Sequence, residues 1–166
     1  WNYEFETKSP DFRTDLGFTN ENNWKKHTVS GDYKYRSDGL FKFVRLDGAS
    51  VIMKNYQNDV LGQMTRIGSK IEFNNAFEVE LRAETWNKFQ FDDYVFNDTY
   101  EYKIDINYST PKIFFKVSND WGDAIARNIA VPELGDRKNI SANAWVNVTD
   151  QLFVGANIRQ SKLTSK

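Results

Sequence analysis

Period-two alternation of apolar and polar residues dominates this chain. No stretch keeps apolar residues at three-and-four spacing for three helical turns. Period two is the signature of a strand with two chemically different faces, so the chain must fold as β-sheet. The clearest example runs from Trp145 to Ser161. Val146, Val148, Leu152, Val154, Ala156 and Ile158 are apolar, whereas Asn147, Gly155, Asn157 and Arg159 fill alternate places. The polar turn Thr149-Asp150-Gln151 separates the two runs, so this stretch reads as a β-hairpin.

The same reading predicts strands over Trp1–Thr7, Trp24–Tyr35, Leu40–Met53, Val60–Phe73, Phe77–Trp86, Tyr100–Tyr108, Ile113–Trp121, Ile140–Val148 and Leu152–Leu163. The expected fold is all-β, an antiparallel up-and-down meander within one domain spanning 1–166. The connections carry direction. Ser37–Gly39, Asn74–Ala76, Ser109–Lys112 and Thr149–Gln151 are short. Between them lie longer polar segments: Leu16–Asn23, Asn87–Thr99 and the Gly122–Asn139 region. In a meander, this alternation puts short turns at one end and long loops at the other, the polarity of outer-membrane barrels. A soluble sandwich with Greek-key links need not have it.

Alternation alone does not say what the apolar face meets. In a soluble β-sandwich it meets a core; in a membrane barrel it meets lipid, and the polar face lines a wet lumen. Three features lean toward lipid. Several strands are about ten residues long, enough to cross a bilayer. Aromatic residues stand near the ends of apolar faces, Phe77 with Trp86 and Tyr100 with Tyr108. The opposite faces carry mixed charge rows, Glu80-Arg82-Glu84 and Glu101-Lys103-Asp105. Those six residues are the candidate binding residues, as the wall of a polar lumen.

Bulk numbers narrow the function. With 22 Lys and Arg against 23 Asp and Glu, the net charge is -1, so no basic field exists for nucleic acid. A mean hydropathy of -0.67 and the lack of a long apolar run exclude a helical span but not a barrel. Cys is absent, and His27 is the single histidine, in "NWKKHTVSG" without a nucleophile elbow. Triads and His/Cys metal sites are therefore not expected, no Gly-rich phosphate loop occurs, and the chain calls for no cofactor, no metal and no enzymatic activity. Calcium-type clusters of Asp and Asn, in Phe91–Asp98 and Asn119–Asp123, read better as turn residues. Carboxylate pairs for glycoside hydrolysis are uninformative among 23 acids. Sequons at Asn97, Asn107, Asn139 and Asn147 are what Asn-, Ser- and Thr-rich strands produce by chance.

Four stretches carry a resemblance: "SPDFRTDLGFTNENNW" (Ser9–Trp24), "GSKIEFNNAFEVELRAETWNKF" (Gly68–Phe89), "YSTPKIFFKVSNDWG" (Tyr108–Gly122) and "VTDQLFVGANIRQSKL" (Val148–Leu163). Together they resemble a family of bacterial outer-membrane β-barrel proteins whose full-length members carry an N-terminal carbohydrate-binding-like β-sandwich. Family members often have an Arg soon after the Gly-Phe pair; here Gly17-Phe18 is followed by Thr-Asn-Glu-Asn. The resemblance implies an outer membrane of a Gram-negative bacterium and a link to carbohydrate or polymer handling. It carries over no functional residue.

Nine strands is an odd number, and bacterial single-chain barrels have even ones. Trp1 stands in place of an initiator Met, and the chain ends in "SKLTSK" without a terminal aromatic. The expectation is a barrel fragment, its partners being outer-membrane lipid and either other polypeptide completing the barrel or an attached periplasmic domain. The alternative is a soluble carbohydrate-binding β-sandwich that binds through Trp86, Trp121 and the Asn87–Thr99 loop. Trp24 and Trp145 are further aromatics able to stack on sugars.

Overall fold

The computed structural model describes residues 1–9, 23–91, 94–126, 131–149 and 152–165. Among them, nine strands form one antiparallel sheet in sequence order: β1 (Asn2–Lys8), β2 (Trp24–Arg36), β3 (Phe41–Lys54), β4 (Val60–Phe73), β5 (Phe77–Phe91), β6 (Tyr94–Ser109), β7 (Ile113–Ala126), β8 (Glu133–Thr149) and β9 (Leu152–Ser165). This is the up-and-down meander the period-two pattern dictates. No helix is present among the described residues. β1 pairs only with β2 and β9 only with β8 in this register.

The register keeps like with like. Phe77, Val79, Leu81, Ala83 and Thr85 of β5 stand opposite Tyr108, Ile106, Ile104, Tyr102 and Tyr100 of β6. Val79 and Ala83 also face Ile71 and Ile67 of β4. On β7 and β8 the row continues through Phe115 with Ala144 and Val117 with Ala142, and reaches Ala156 and Ile158 of β9. One face is therefore mainly apolar, interrupted by Asn119 and Lys138, and a one-residue slip of β5 against its neighbours would put charges into it.

The burial is inverted relative to a water-soluble sheet. Apolar-face side chains are exposed: Ile67 is 63% exposed, Leu46 53% and Ile158 70%. Val51 is the one buried apolar side chain among the described residues, and it points to the charged face, opposite Met64. On that face Asp105 retains only 7% of its surface. Side chains are more crowded on the polar face than on the apolar one.

The strands are also staggered. One paired row runs through Gly31, Gly48, Ile67, Ala83, Tyr102, Trp121 and Lys138. It crosses β2 five residues before Arg36, β4 six before Phe73, β6 seven before Ser109 and β8 eleven before Thr149. The drift is about one residue per strand. With about 3.4 Å per residue and about 4.8 Å between strands, that inclines the strands by about 35° to the common axis, as in closed barrels.

Two expected loops are largely strand. β5 and β6 run on to Phe91 and from Tyr94, so most of Asn87–Thr99 belongs to a long hairpin. Most of Gly122–Asn139 likewise belongs to β7 and β8. The period-two signal is lost in both for local reasons. The β5–β6 ladder steps from Trp86–Thr99 to Lys88–Asn97, and Asp98 has a positive φ of 52°. In Asp136-Arg137-Lys138 both faces are polar, so nothing alternates. Leu16–Asn22 and Asp150–Gln151 lie outside the described residues, while Thr149 and Leu152 flank the last turn as partners.

β6 and β7 pair only from Ser109–Phe114 up to Glu101–Gly122. Beyond that point the β5–β6 and β7–β8 hairpins separate. Gly122 makes the separation: its φ is +134°, and an added Cβ would lie 2.2 Å from the Tyr100 carbonyl oxygen. Gly122→Ala is predicted to cost at least about 2 kcal/mol of stability in denaturant unfolding. Gly39→Ala, whose Cβ would meet only the Ser37 hydroxyl at 3.4 Å, should leave the midpoint nearly unchanged.

Candidate functional site

The six charged residues of the two rows share the polar face of β5 and β6, and the register pairs them one to one. Glu80 faces Asp105, Arg82 faces Lys103 and Glu84 faces Glu101. Like charges directly opposite are unfavourable, so each must be compensated from elsewhere. Part of the compensation runs along the strands: Arg82 bonds Glu80 at 3.2 Å, and Lys103 bonds Asp105 at 2.9 Å. The rest comes from β7 and β8. Lys116 stands 3.6 Å from Asp105, and Arg137 pairs with Glu101 at 2.7 Å and stands 3.3 Å from Asp120. Lys70 and Glu78 add a cross-strand pair at 2.7 Å between β4 and β5.

The result is a mesh in which acids and bases alternate over the sheltered face. It is not a single-sign field, so it does not steer one ion charge. Towards β8 and β9 the face changes character. Asn139, Ser141, Asn143 and Trp145 stand opposite Ser161, Arg159, Asn157 and Gly155. Asn139 donates to Asp120 at 2.7 Å, and Trp145 stacks on Phe114 at 5.5 Å.

At the rim, the gap between the separated hairpins is a cavity of about 320 Å³. Its walls include Glu84, Trp86, Phe89, Thr99, Glu101 and Arg137. Trp86 is held on three sides. Its indole N–H donates to Glu84 at 2.8 Å, its ring meets Phe89 edge-on at 5.1 Å, and it lies over Gly62, where an added Cβ would come within 3.2 Å. Thr99, opposite Trp86, is 9% exposed. Asp123 accepts the Tyr100 N–H at 3.0 Å, satisfying a donor that the parting of β6 and β7 would otherwise orphan.

Sequence reading placed Trp86 and Trp121 on one binding surface. The structure separates them: Trp86 is on the polar face, whereas Trp121 stacks with Tyr102 on the apolar face at 5.6 Å. Asn119 and Asp120 likewise point to opposite faces, which dissolves that calcium-type cluster. Asp92 and Asp93 of the other cluster lie outside the described residues. Among the described residues, no group of three or more His, Cys, Asp or Glu is placed to hold a metal ion. His27 bonds the Tyr3 hydroxyl at 2.8 Å and packs against Phe5 on the first two strands. Arg137 was missed because its stretch read as a loop; its role depends on cross-strand register.

Compared with protein-family models, curated proteins and solved structures, the chain matches none.

The mesh makes a measurable prediction. Arg137→Met leaves Glu101 and Asp120 without their guanidinium and should lower the unfolding free energy by about 1–2 kcal/mol. Arg82→Met loses one contact to a neighbour two residues away and should cost less. Equal losses in denaturant unfolding would contradict the division of compensation between strands.

Proposed function

We propose that this chain is an outer-membrane β-barrel, or a large part of one, whose polar lumen passes or captures a polar solute. The observation that carries the reading is the inverted burial. Leu46, Ile67, Phe77, Leu81, Ile106, Ile113, Phe115, Ile140, Val146, Val154 and Ile158 are each between 38% and 70% exposed on one face. Leaving roughly half of such a side chain in water forgoes about 1 kcal/mol. Together that is on the order of 10 kcal/mol, as large as the net stability of a typical domain. A face of that size is stable only when something apolar covers it, and no second sheet among the described residues does so.

Lipid is the cover that fits. The stagger corresponds to the inclination of barrel strands. On β6 the apolar face runs from Tyr100 to Tyr108, eight steps or about 27 Å along the strand and about 22 Å along the common axis at that inclination, close to the roughly 25 Å band of membrane barrels. Phe77 with Tyr108, and Tyr102 with Trp121, form aromatic pairs towards its two ends. Short connections, 74–76 and 110–112, gather at one end of the meander, and at the other the β5–β6 and β7–β8 hairpins continue beyond the end of the β6–β7 ladder. Open strand edges do not persist in hydrocarbon, so β1 and β9 must be joined, to each other or through strands of other polypeptide. The barrel would also serve as a platform for an attached periplasmic domain. The link to carbohydrate or polymer handling rests on the family resemblance and is part of the proposal. The soluble sandwich is the less supported reading, because its two tryptophans fall on opposite faces.

Cell fractionation, with gel mobility of unheated and boiled samples in SDS, tests the proposal. A barrel partitions with the outer membrane and shifts mobility on heating. A protein that stays in the soluble fraction and shows no shift would overturn it. Two substitutions sharpen the test on neighbouring residues of β9. Ala156→Arg falls on the apolar face and should cost about 2–4 kcal/mol near the bilayer midplane. Asn157→Arg falls on the polar face and should be nearly silent. The reverse order would invert the assignment of faces.

A further inference from the structure

We infer that the rim cleft between the β5–β6 and β7–β8 hairpins binds a neutral sugar ring. The cleft lies on the polar side of the sheet whatever covers the apolar side, so the inference stands apart from the barrel proposal. Its chemistry has three parts. Trp86 is an aromatic plate fixed before any ligand arrives, by its N–H bond to Glu84, by Phe89 at its edge and by Gly62 beneath it. A plate so fixed loses little side-chain freedom when a ligand stacks on it.

Around the plate stand acceptors with spare capacity. Glu84 receives the indole N–H and Glu101 receives Arg137. An ionised carboxylate offers about four lone-pair positions, so each retains acceptor sites for hydroxyl donors. The third part is the charge balance. Glu84, Glu101 and Asp123 outnumber Arg137 in the wall, which disfavours an anionic ligand. A ligand with an apolar face, several hydroxyls and no charge satisfies all three, and a pyranose ring is that ligand. At about 320 Å³ the cavity is at the small end for ligand sites, a size suited to a short saccharide segment.

Glu84 and Glu101 are each engaged by a donor, and the cleft holds and orients a sugar at the mouth of the polar face.

The test is calorimetric titration of the full chain, purified in detergent, with maltotriose and separately with cellotriose. Saturable binding of either is expected. Trp86→Ala should weaken it at least about tenfold, as loss of one aromatic stacking surface does. Glu84→Gln should weaken it less, and Trp145→Phe, on the same face but outside the cleft, should leave it unchanged. Trp86→Phe keeps a plate and should retain intermediate affinity, which separates lost stacking from a disturbed fold. No saturable binding of either sugar, or equal affinity in Trp86→Ala, overturns the inference. Loss on Trp145→Phe would also overturn it, by placing the sugar elsewhere. Sugar binding by a protein with no heat-dependent mobility shift would uphold the cleft while contradicting the barrel.

Discussion

Everything in this sheet depends on cross-strand register. Backbone hydrogen bonds hold nine strands side by side, but they are indifferent to which residues face each other. The pairing of Val79 with Ile71 and Ile106, and of Glu80 with Lys70 and Asp105, is what segregates the two faces. Because side chains alternate with period two, a slip of one residue would exchange the faces completely. The register is therefore the step at which a merely alternating sequence acquires an apolar face and a charged, more sheltered face.

The charged side shows how such a face is kept from repelling itself. Acid opposes acid and base opposes base across β5 and β6, so neither strand neutralises its partner. Relief comes from i, i+2 neighbours and from Lys116 and Arg137 on the next strands. Half-sheltered groups gain more from such contacts than fully solvated ones, since water screens them less. Gly122 ends the β6–β7 pairing at the upper edge of this mesh. One glycine thus links backbone geometry to the opening of the cleft beside Trp86.

How legible this was in the sequence follows from where alternation survives. Val60–Phe73 coincides with β4, although apolar and polar residues alternate only from Arg66 to Phe73 and its bounds are loose in the sequence. β5 is recognised to Trp86 and then lost, because the ladder steps over Asn87 and Asp98 and brings Phe89 back beside Trp86. The start of β8 is lost because Asp136, Arg137 and Lys138 are polar on both faces. The six charged residues were readable as two rows on one face, as parity alone requires. Their like-with-like opposition was not, because it depends on strand pairing. For the same reason Arg137 went unread, whereas parity along each strand already separates Trp86, in step with Glu80, Arg82 and Glu84, from Trp121, in step with Phe115 and Val117.

The central claim is that the apolar face meets lipid and the charged face meets water. The chain contains no cysteine, so single cysteines can be introduced without background. Val79→Cys, Glu80→Cys, Leu81→Cys, Arg82→Cys and Ala83→Cys, each labelled with an environment-sensitive fluorophore in lipid vesicles, sample both faces of one strand. Quenching by lipid-attached nitroxide at positions 79, 81 and 83, and by aqueous iodide at 80 and 82, is the predicted result. Iodide quenching at all five positions, or the opposite alternation, would contradict the account.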